Sequence, residues 1–393
     1  MADFDKISIN GTYYNVKDSA LTAAVNALTT EVGEVQNTVT RQGQTIQQQG
    51  QAIQQQGQDI ENLKTEIANA PEMYININDY EGDFDSKISA AINDCPYHGT
   101  IYIPAGQYKS NRTITINKPL TILGNYVGWD PEAIPVSQYE AVAITSTAST
   151  AISVQSIGVT LKNISLMTAP DSVALSLQVA NANNQVMRDF HIENAYLIGQ
   201  SDTTPSNTAI LCPSSIIVSS FTKVVIRNFV TGFNLGEENQ TSTSLSLKQI
   251  WVRNTWNIGI WLKGAIYSHL DTCVVESGVG SSVVAGFYLG NCHAISLTSC
   301  AAEGISKPAL SALTSKGISV LSFASINCNS GGQWQIEVGN DSLVAGFYTV
   351  GSPQAGKFGD NCGLIGAQNA WYDASNTMHA ILKGIIDTTA DKQ

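Results

Sequence analysis

The sequence predicts an all-β chain, a right-handed parallel β-helix (a solenoid of stacked coils), preceded by an N-terminal parallel trimeric coiled coil. Three observations carry this expectation. Val25, Val32, Val39, Ile46, Ile53, Ile60 and Ile67 recur every seventh residue without a break. Gly232-Phe233-Asn234-Leu235, Gly259-Ile260-Trp261-Leu262 and Gly286-Phe287-Tyr288-Leu289 follow one another 27 residues apart, as do Cys273 and Cys300. Charged residues make up only 13% of the 393, about half the usual ~25%. Gly, Ser, Thr, Asn and β-branched residues fill the gap, which suits many short strands and tight turns.

Residues 1–20 read as a small docking element. Ile7-Ser8-Ile9 and Tyr13-Tyr14-Asn15-Val16 flank Asn10-Gly11, a pair that favours a type I′ hairpin because both positions accept positive φ. Asp18 or Ser19 can cap the helix that follows, and Pro71 ends it.

Residues 21–70 form the coiled coil. The seven apolar residues occupy the a positions, and Leu28, Val35, Gln42, Gln49, Gln56 and Leu63 stand three residues after successive members. Such a seam is not stable as a lone helix. β-branched a positions without a Leu run at d shift the preference from two strands to three. Stacked Gln layers fix the register of RQGQTIQQQGQAIQQQGQDI, where a slip by one heptad would otherwise cost little.

Residues 71–342 form the solenoid. Ile88, Ala91 and Ile92 share one face of a short helix. Gly99-Thr100-Ile101-Tyr102-Ile103-Pro104-Ala105-Gly106-Gln107-Tyr108 follows a Pro/Gly break. This pairing of an amphipathic helix with G-T-I-Y-I-P-A-G-x-Y resembles the opening of pectate-lyase-like β-helix proteins. The resemblance implies that the helix covers the open strand edges at the N-terminal end of the stack. A second pattern runs through Ile192-Glu193-Asn194, Ile226-Arg227-Asn228, Val252-Arg253-Asn254, Val275-Glu276-Ser277 and Ala302-Glu303-Gly304. Apolar residues point in, charges point out, and Asn194, Asn228 and Asn254 form a ladder at the bend. Coils are expected to start near residues 158, 185, 221, 245, 268, 294 and 318, with neighbours ~4.8 Å apart. Residues 343–393 lose the pattern and read as a C-terminal cap and trimer contact, containing Trp371-Tyr372-Asp373 and the amphipathic stretch from Met378 to Lys383.

Docking tip, Gln-rich coiled coil, capping helix and parallel β-helix together resemble bacteriophage tailspike and fibre proteins. The resemblance implies a homotrimeric virion component, made in the bacterial cytoplasm and released by lysis. Its N-terminus would attach to the particle, on tail or capsid, and its β-helix would meet a bacterial surface polysaccharide. Members of that group either bind glycan, cleave it, or decorate the particle as head fibres. No catalytic motif of the group maps onto this chain residue by residue.

The candidate sites follow from the outward columns. Glu276 and Glu303 are the candidate catalytic pair. On adjacent coils they would approach the ~5–5.5 Å of a retaining glycosidase, where like charges split two carboxyls into an acid and a nucleophile. The competing reading is that Glu193, Arg227, Arg253, Glu276 and Glu303 form screened ion pairs, and this is the reading favoured here. Trp261 and Tyr288, with Trp256 nearby, are the candidate glycan-binding residues, because aromatic faces stack on sugar rings. Burial between subunits is their alternative role. His98, His191, His269, His293 and His379 are scattered. His269 and Asp271, two apart on one strand, are expected to share a face, with no Ser or Cys nucleophile beside them.

Composition narrows the function classes. A formal charge of −12 per chain argues against nucleic acid and against an anionic membrane as partner. No apolar run reaches the ~18 residues of a spanning helix, and the start MADFDK shows no apolar core of a secretory signal. Seven Cys without a CxxC or a Cys/His cluster point to reduced thiols and to neither a disulfide framework nor a metal site. No cofactor is expected.

Overall fold

The computed structural model describes residues 6–15, 19–69, 73–125, 142–180, 186–200, 203, 205–278, 283–329, 334–350, 356–365 and 372–373. It divides into two compact units, Met1–Pro71 and Glu72–Gln393.

The first unit holds a hairpin and one helix. Strands β1 (Lys6–Ile9) and β2 (Thr12–Asn15) pair antiparallel with Ile9 opposite Thr12. Asn10 and Gly11 turn between them at φ of 51° and 79°, the two positive angles that a type I′ turn demands. Helix α1 runs unbroken over Ser19–Asn69. Within the single chain its apolar stripe has no cover: Val25, Val32, Val39, Ile46, Ile53 and Ile60 are 53–67% exposed. The side chains of Leu63 and Ile67, and all of Pro71, lie outside the described residues.

The second unit is a parallel β-solenoid of about nine turns. Helix α2 (Phe84–Asp94) opens it, with Asp83 as its N-cap accepting the Ser86 N–H at 2.9 Å. The face expected from sequence is the buried one, with Phe84, Ile88, Ala91 and Ile92 against the first coils. Asp85 is also buried; its carboxylate accepts the Ser110 hydroxyl at 2.6 Å and the Asn111 N–H at 2.9 Å. These bonds satisfy a carboxylate whose desolvation would otherwise be costly, and they tie helix to coil. The G-T-I-Y-I stretch forms a strand, Thr100–Ile103, between Tyr74–Asn76 and Thr121–Gly124.

Three columns of left-handed residues shape the coils. The first corner is turned by Gly158, Asp189, Val218, Ser244, Tyr267, Ala294, Gly317, Asp341 and Asn361, all at positive φ. Five residues later on the first eight of these coils stand Asn163, Asn194, Lys223, Gln249, Thr272, Ser299, Ser322 and Gly346, again all positive. Five residues further on the central coils come Asn228, Asn254, Ser277, Gly304 and Asn327. Two sides of the coil therefore have a fixed length. The third side varies, from 13 residues (254 to 267) to 17 (277 to 294). The first-corner residues fall within four positions of every expected coil start.

The interior is one continuous apolar core that includes Phe190, Phe221, Phe233, Phe287, Phe323 and Phe347. The 27-residue Gly-aromatic repeat has a steric cause. Gly232, Gly259 and Gly286 lie one above another, and a Cβ at Gly232 would fall 2.4 Å from the Gly259 carbonyl oxygen. Gly346, which looks like a fourth member, belongs elsewhere: it turns a corner at φ 67°, above Ser322. All seven cysteines are free and buried.

The loss of pattern expected from residue 343 does not occur there. Leu343–Ala345, Tyr348–Val350, Gly356–Phe358 and Gly363–Ile365 each pair in parallel with the coil before. Tyr372–Asp373 pairs onto Gly356–Lys357. Short three-residue strands with Gly at several positions hid this continuation. Trp371 and the stretch from Met378 to Lys383 lie outside the described residues.

Candidate functional site

Chemistry on a solenoid lies in its outward columns, where side chains of successive coils meet. The charge column is shorter than expected. Register places Ile198, Arg227, Arg253, Glu276, Glu303 and Ile326 in line. Glu193 is not in it. It stands one side earlier on its coil, opposite Thr222, and pairs with Lys162 at 2.7 Å. The asparagine ladder divides for the same reason. Asn194 donates to Asn163 at 2.9 Å, while Asn254 donates to Asn228 at 3.1 Å on the next corner.

Glu276 and Glu303 are direct neighbours on adjacent coils. Glu276 turns back along the stack: its Oε1 lies 3.2 Å from Arg253 Nε, with 15% of the side chain exposed. Glu303 is exposed, with Ile326 beyond it. The two carboxylates thus sit in unlike surroundings, one clasped by a guanidinium and one in solvent.

The aromatic column is richer. Asn234, Trp261, Tyr288, Ser311, Glu337 and Lys357 succeed one another on the third side. The Trp261 and Tyr288 rings meet edge to face, 5.7 Å apart at 83°. The Lys263 ammonium lies 4.4 Å from the Trp261 ring centre, in cation–π range. Burial pushes the Lys263 amine down from its ordinary value, opposed by the charges of Glu238 and Glu237. A Cβ on Gly290 would sit 3.3 Å from Glu238 Oε1 and 3.4 Å from the Tyr288 ring, so glycine keeps open the floor between them. Trp261 Nε1 and Asn234 Oδ1 are buried without a hydrogen-bond partner, a costly state for polar atoms. Trp256 is outside this column. It lies in the bulge where Phe229 faces Thr255 and Thr231 faces Ile258.

The first side carries histidines and serines, and here the sequence expectation is corrected. Ser246 Oγ lies 2.9 Å from His269 Nε2, whereas Asp271 turns to Lys248 at 3.9 Å. Earlier in the same column, His191 Nδ1 lies 2.7 Å from Ser220 Oγ and its Nε2 lies 2.7 Å from Asp189 Oδ1. Sequence reasoning missed these serines because they come from neighbouring coils at unequal spacing. Among the described residues no group of three or more His, Cys, Asp or Glu is placed to hold a metal.

No protein-family model and no curated protein sequence matches the chain. Solved structures do. A mannuronan C-5 epimerase A-module of Azotobacter vinelandii superposes with a TM-score of 0.51 at 10% identity, over 78% of this chain and 97% of that one. The enzymatically active domain of tailspike protein 2 of bacteriophage CBA120 superposes with a TM-score of 0.52 at 11% identity, over 75% of this chain and 47% of that one. The shared feature is the parallel β-solenoid fold. At such identity no residue role transfers, and the solenoid's own columns carry the functional argument.

Proposed function

We propose that the chain is a homotrimeric appendage of a bacteriophage particle that binds host cell-surface glycan through the third side of its solenoid. The carrying observation is the Trp261–Tyr288 pair, with Lys263 on the indole and Glu238 at the rim. It offers aromatic surface, a cation and carboxylate acceptors within one patch, the combination that recognises a ring with an apolar face and polar edges. The phage tailspike among the solved structures of this fold supports the particle assignment, and the epimerase supports a carbohydrate ligand. The uncovered heptad stripe of α1 supports the trimer, since three copies would bury what one leaves in water. The hairpin at the N-terminus is the proposed attachment element, on tail or capsid.

Trp261→Ala is expected to reduce adsorption of the protein to host cells at least tenfold while leaving the trimer intact, and Glu276→Gln to leave adsorption nearly unchanged. Normal adsorption by Trp261→Ala with a weakened trimer would move the aromatic column to the subunit interface. A second reading, glycan depolymerisation, is favoured by the adjacency of Glu276 and Glu303. It requires that the wild-type protein shorten host polysaccharide and that Glu276→Gln or Glu303→Gln abolish this without loss of binding. The Arg253–Glu276 pair weighs against it, because a general acid must be free to give up a proton to the leaving oxygen.

A further inference from the structure

We propose that Ser220, His191 and Asp189 form a serine ester-hydrolase site on the first side of the solenoid. The argument begins with the tautomer. Asp189 Oδ1 lies 2.7 Å from His191 Nε2 and can only accept, so the imidazole proton resides on Nε2. Nδ1 then carries a lone pair, aimed at the Ser220 hydroxyl 2.7 Å away. This is the logic of a nucleophile, a base and an orienting carboxylate, recognised by geometry and not by sequence order.

Two further observations converge on the same place. Val218, two residues before Ser220, holds φ of 48° and is 56% exposed. A β-branched residue in the left-handed region is strained, and Asn or Gly would turn this corner more cheaply. Tyr267, two coils further along the corner column beyond Ser244, is also left-handed, at φ 48°, and exposed. Ser246 is the next residue in register after Ser220, and His269 Nε2 sits 2.9 Å from its oxygen. With His269 donating to that oxygen, the Ser246 hydroxyl proton is free to point toward Ser220.

The step balances without a further reagent. Ser220 Oγ attacks the ester carbonyl carbon as its proton passes to His191 Nδ1. The tetrahedral intermediate collapses, the carbonyl carbon–alkoxy oxygen bond breaks, and the alcohol leaves with that proton. Water then attacks the acyl-Ser220 through the same base and releases the carboxylic acid. Asp189 is a positioning residue. The oxyanion has modest support: the Ser220 N–H is already donated to the Phe190 carbonyl at 2.9 Å, leaving the Ser246 hydroxyl as donor. Loss of one such donor typically costs ~10²–10³ in rate, so the site is expected to be slow and to favour activated esters.

The test uses the full-length protein with a biotinylated fluorophosphonate, the labelled residue being mapped by mass spectrometry, and with p-nitrophenyl acetate. Neither probe depends on glycan binding, so the outcome is separate from that of the adsorption assay. Ser220 is expected to be labelled, and Ser220→Ala to lose both label and hydrolysis. His191→Ala is expected to slow labelling at least 100-fold. Asp189→Asn, an exposed isosteric change, should slow hydrolysis at least tenfold with the same unfolding midpoint as wild type. An unlabelled Ser220 in the intact protein, or hydrolysis unchanged in Ser220→Ala, overturns the proposal. So does equal labelling of wild type and His191→Ala, which would mark Ser220 as merely accessible.

Discussion

Replacing Gly259 by Ala isolates the packing rule of the solenoid. An added Cβ would stand 2.3 Å from Val275 Cγ1 and 2.8 Å from the Gly286 carbonyl oxygen. Neither neighbour can withdraw freely. Val275 is buried between Val252 and Ala302 in its own inward column, and the carbonyl belongs to a coil held at the ~4.8 Å inter-strand spacing. Relief therefore demands a shift of several tenths of an ångström in a close-packed stack. Overpacking of this kind costs about 1–3 kcal/mol, and the upper end applies because a backbone atom is involved. The control is Gly57→Ala. That position is helical, with no heavy atom within 4 Å of a Cβ in the single chain, and Ala favours a helix over Gly by about 1 kcal/mol. The same chemical change should thus move stability in opposite directions. Guanidinium unfolding, followed by tryptophan fluorescence for the solenoid and by circular dichroism for the helix, reads both. Gly259→Ala unfolding at the wild-type midpoint or above would refute the steric account of the glycine column.

Four shorter predictions follow from other parts of the molecule. Ile53→Asp places a carboxylate at one a layer of the proposed trimer, where three buried like charges would meet; light scattering should show loss of the trimer. Burial pushes the Cys212 and Cys292 thiols up to about 11, and all seven cysteines are buried. A disulfide-exchange reagent at pH 8 should therefore find almost no reactive thiol until denaturant is added, and then seven. Asp85→Ala leaves the Asn111 N–H without its acceptor and leaves the Ser110 hydroxyl only the Arg112 carbonyl, at 2.7 Å, to donate to. About 1–3 kcal/mol of stability should be lost in a melt, and the first coils should become the earliest to exchange amide hydrogens. Deleting residues 1–20 should leave a folded solenoid that no longer joins virions, and normal incorporation would place the attachment element elsewhere.

What the sequence made legible was local. Asn10-Gly11 specifies its own turn, the Ile88, Ala91 and Ile92 spacing specifies a helix face, and corner residues recur closely enough to locate the coil starts. Side-to-side register was not legible, because it depends on the length of the variable third side. Glu193 shows the difficulty. Ile192-Glu193-Asn194 reads like Ile226-Arg227-Asn228, yet the two lie at different corners, since Ile192 pairs with Phe221. Gly346-Phe347-Tyr348 was misleading in the same way, a glycine selected for positive φ looking like one selected for close approach. The His191–Ser220 contact spans 29 residues and the Ser246–His269 contact spans 23, so no single period would have exposed both. The uninterrupted five-residue spacing of left-handed residues was present in the sequence. Asn, Asp, Ser, Gly, Thr, Lys, Gln, Val, Tyr and Ala all occupy those corners, which disguises a conformational repeat as ordinary variation.

The unequal sides of the coil set where this molecule can tolerate changes in length. An insertion between two corners five residues apart would displace the next left-handed residue and turn inward-facing side chains outward for the rest of that side. The third side has no such constraint, and coils of the present chain already differ there by four residues (13 against 17). Insertions and deletions should accumulate on that side alone, with the two short sides acting as a ruler that restores register at every turn. Trp261 and Tyr288 lie on the permissive side. Recognition surface can therefore be lengthened, shortened or exchanged in evolution, or by design, one coil at a time, without renegotiating the stack that carries it.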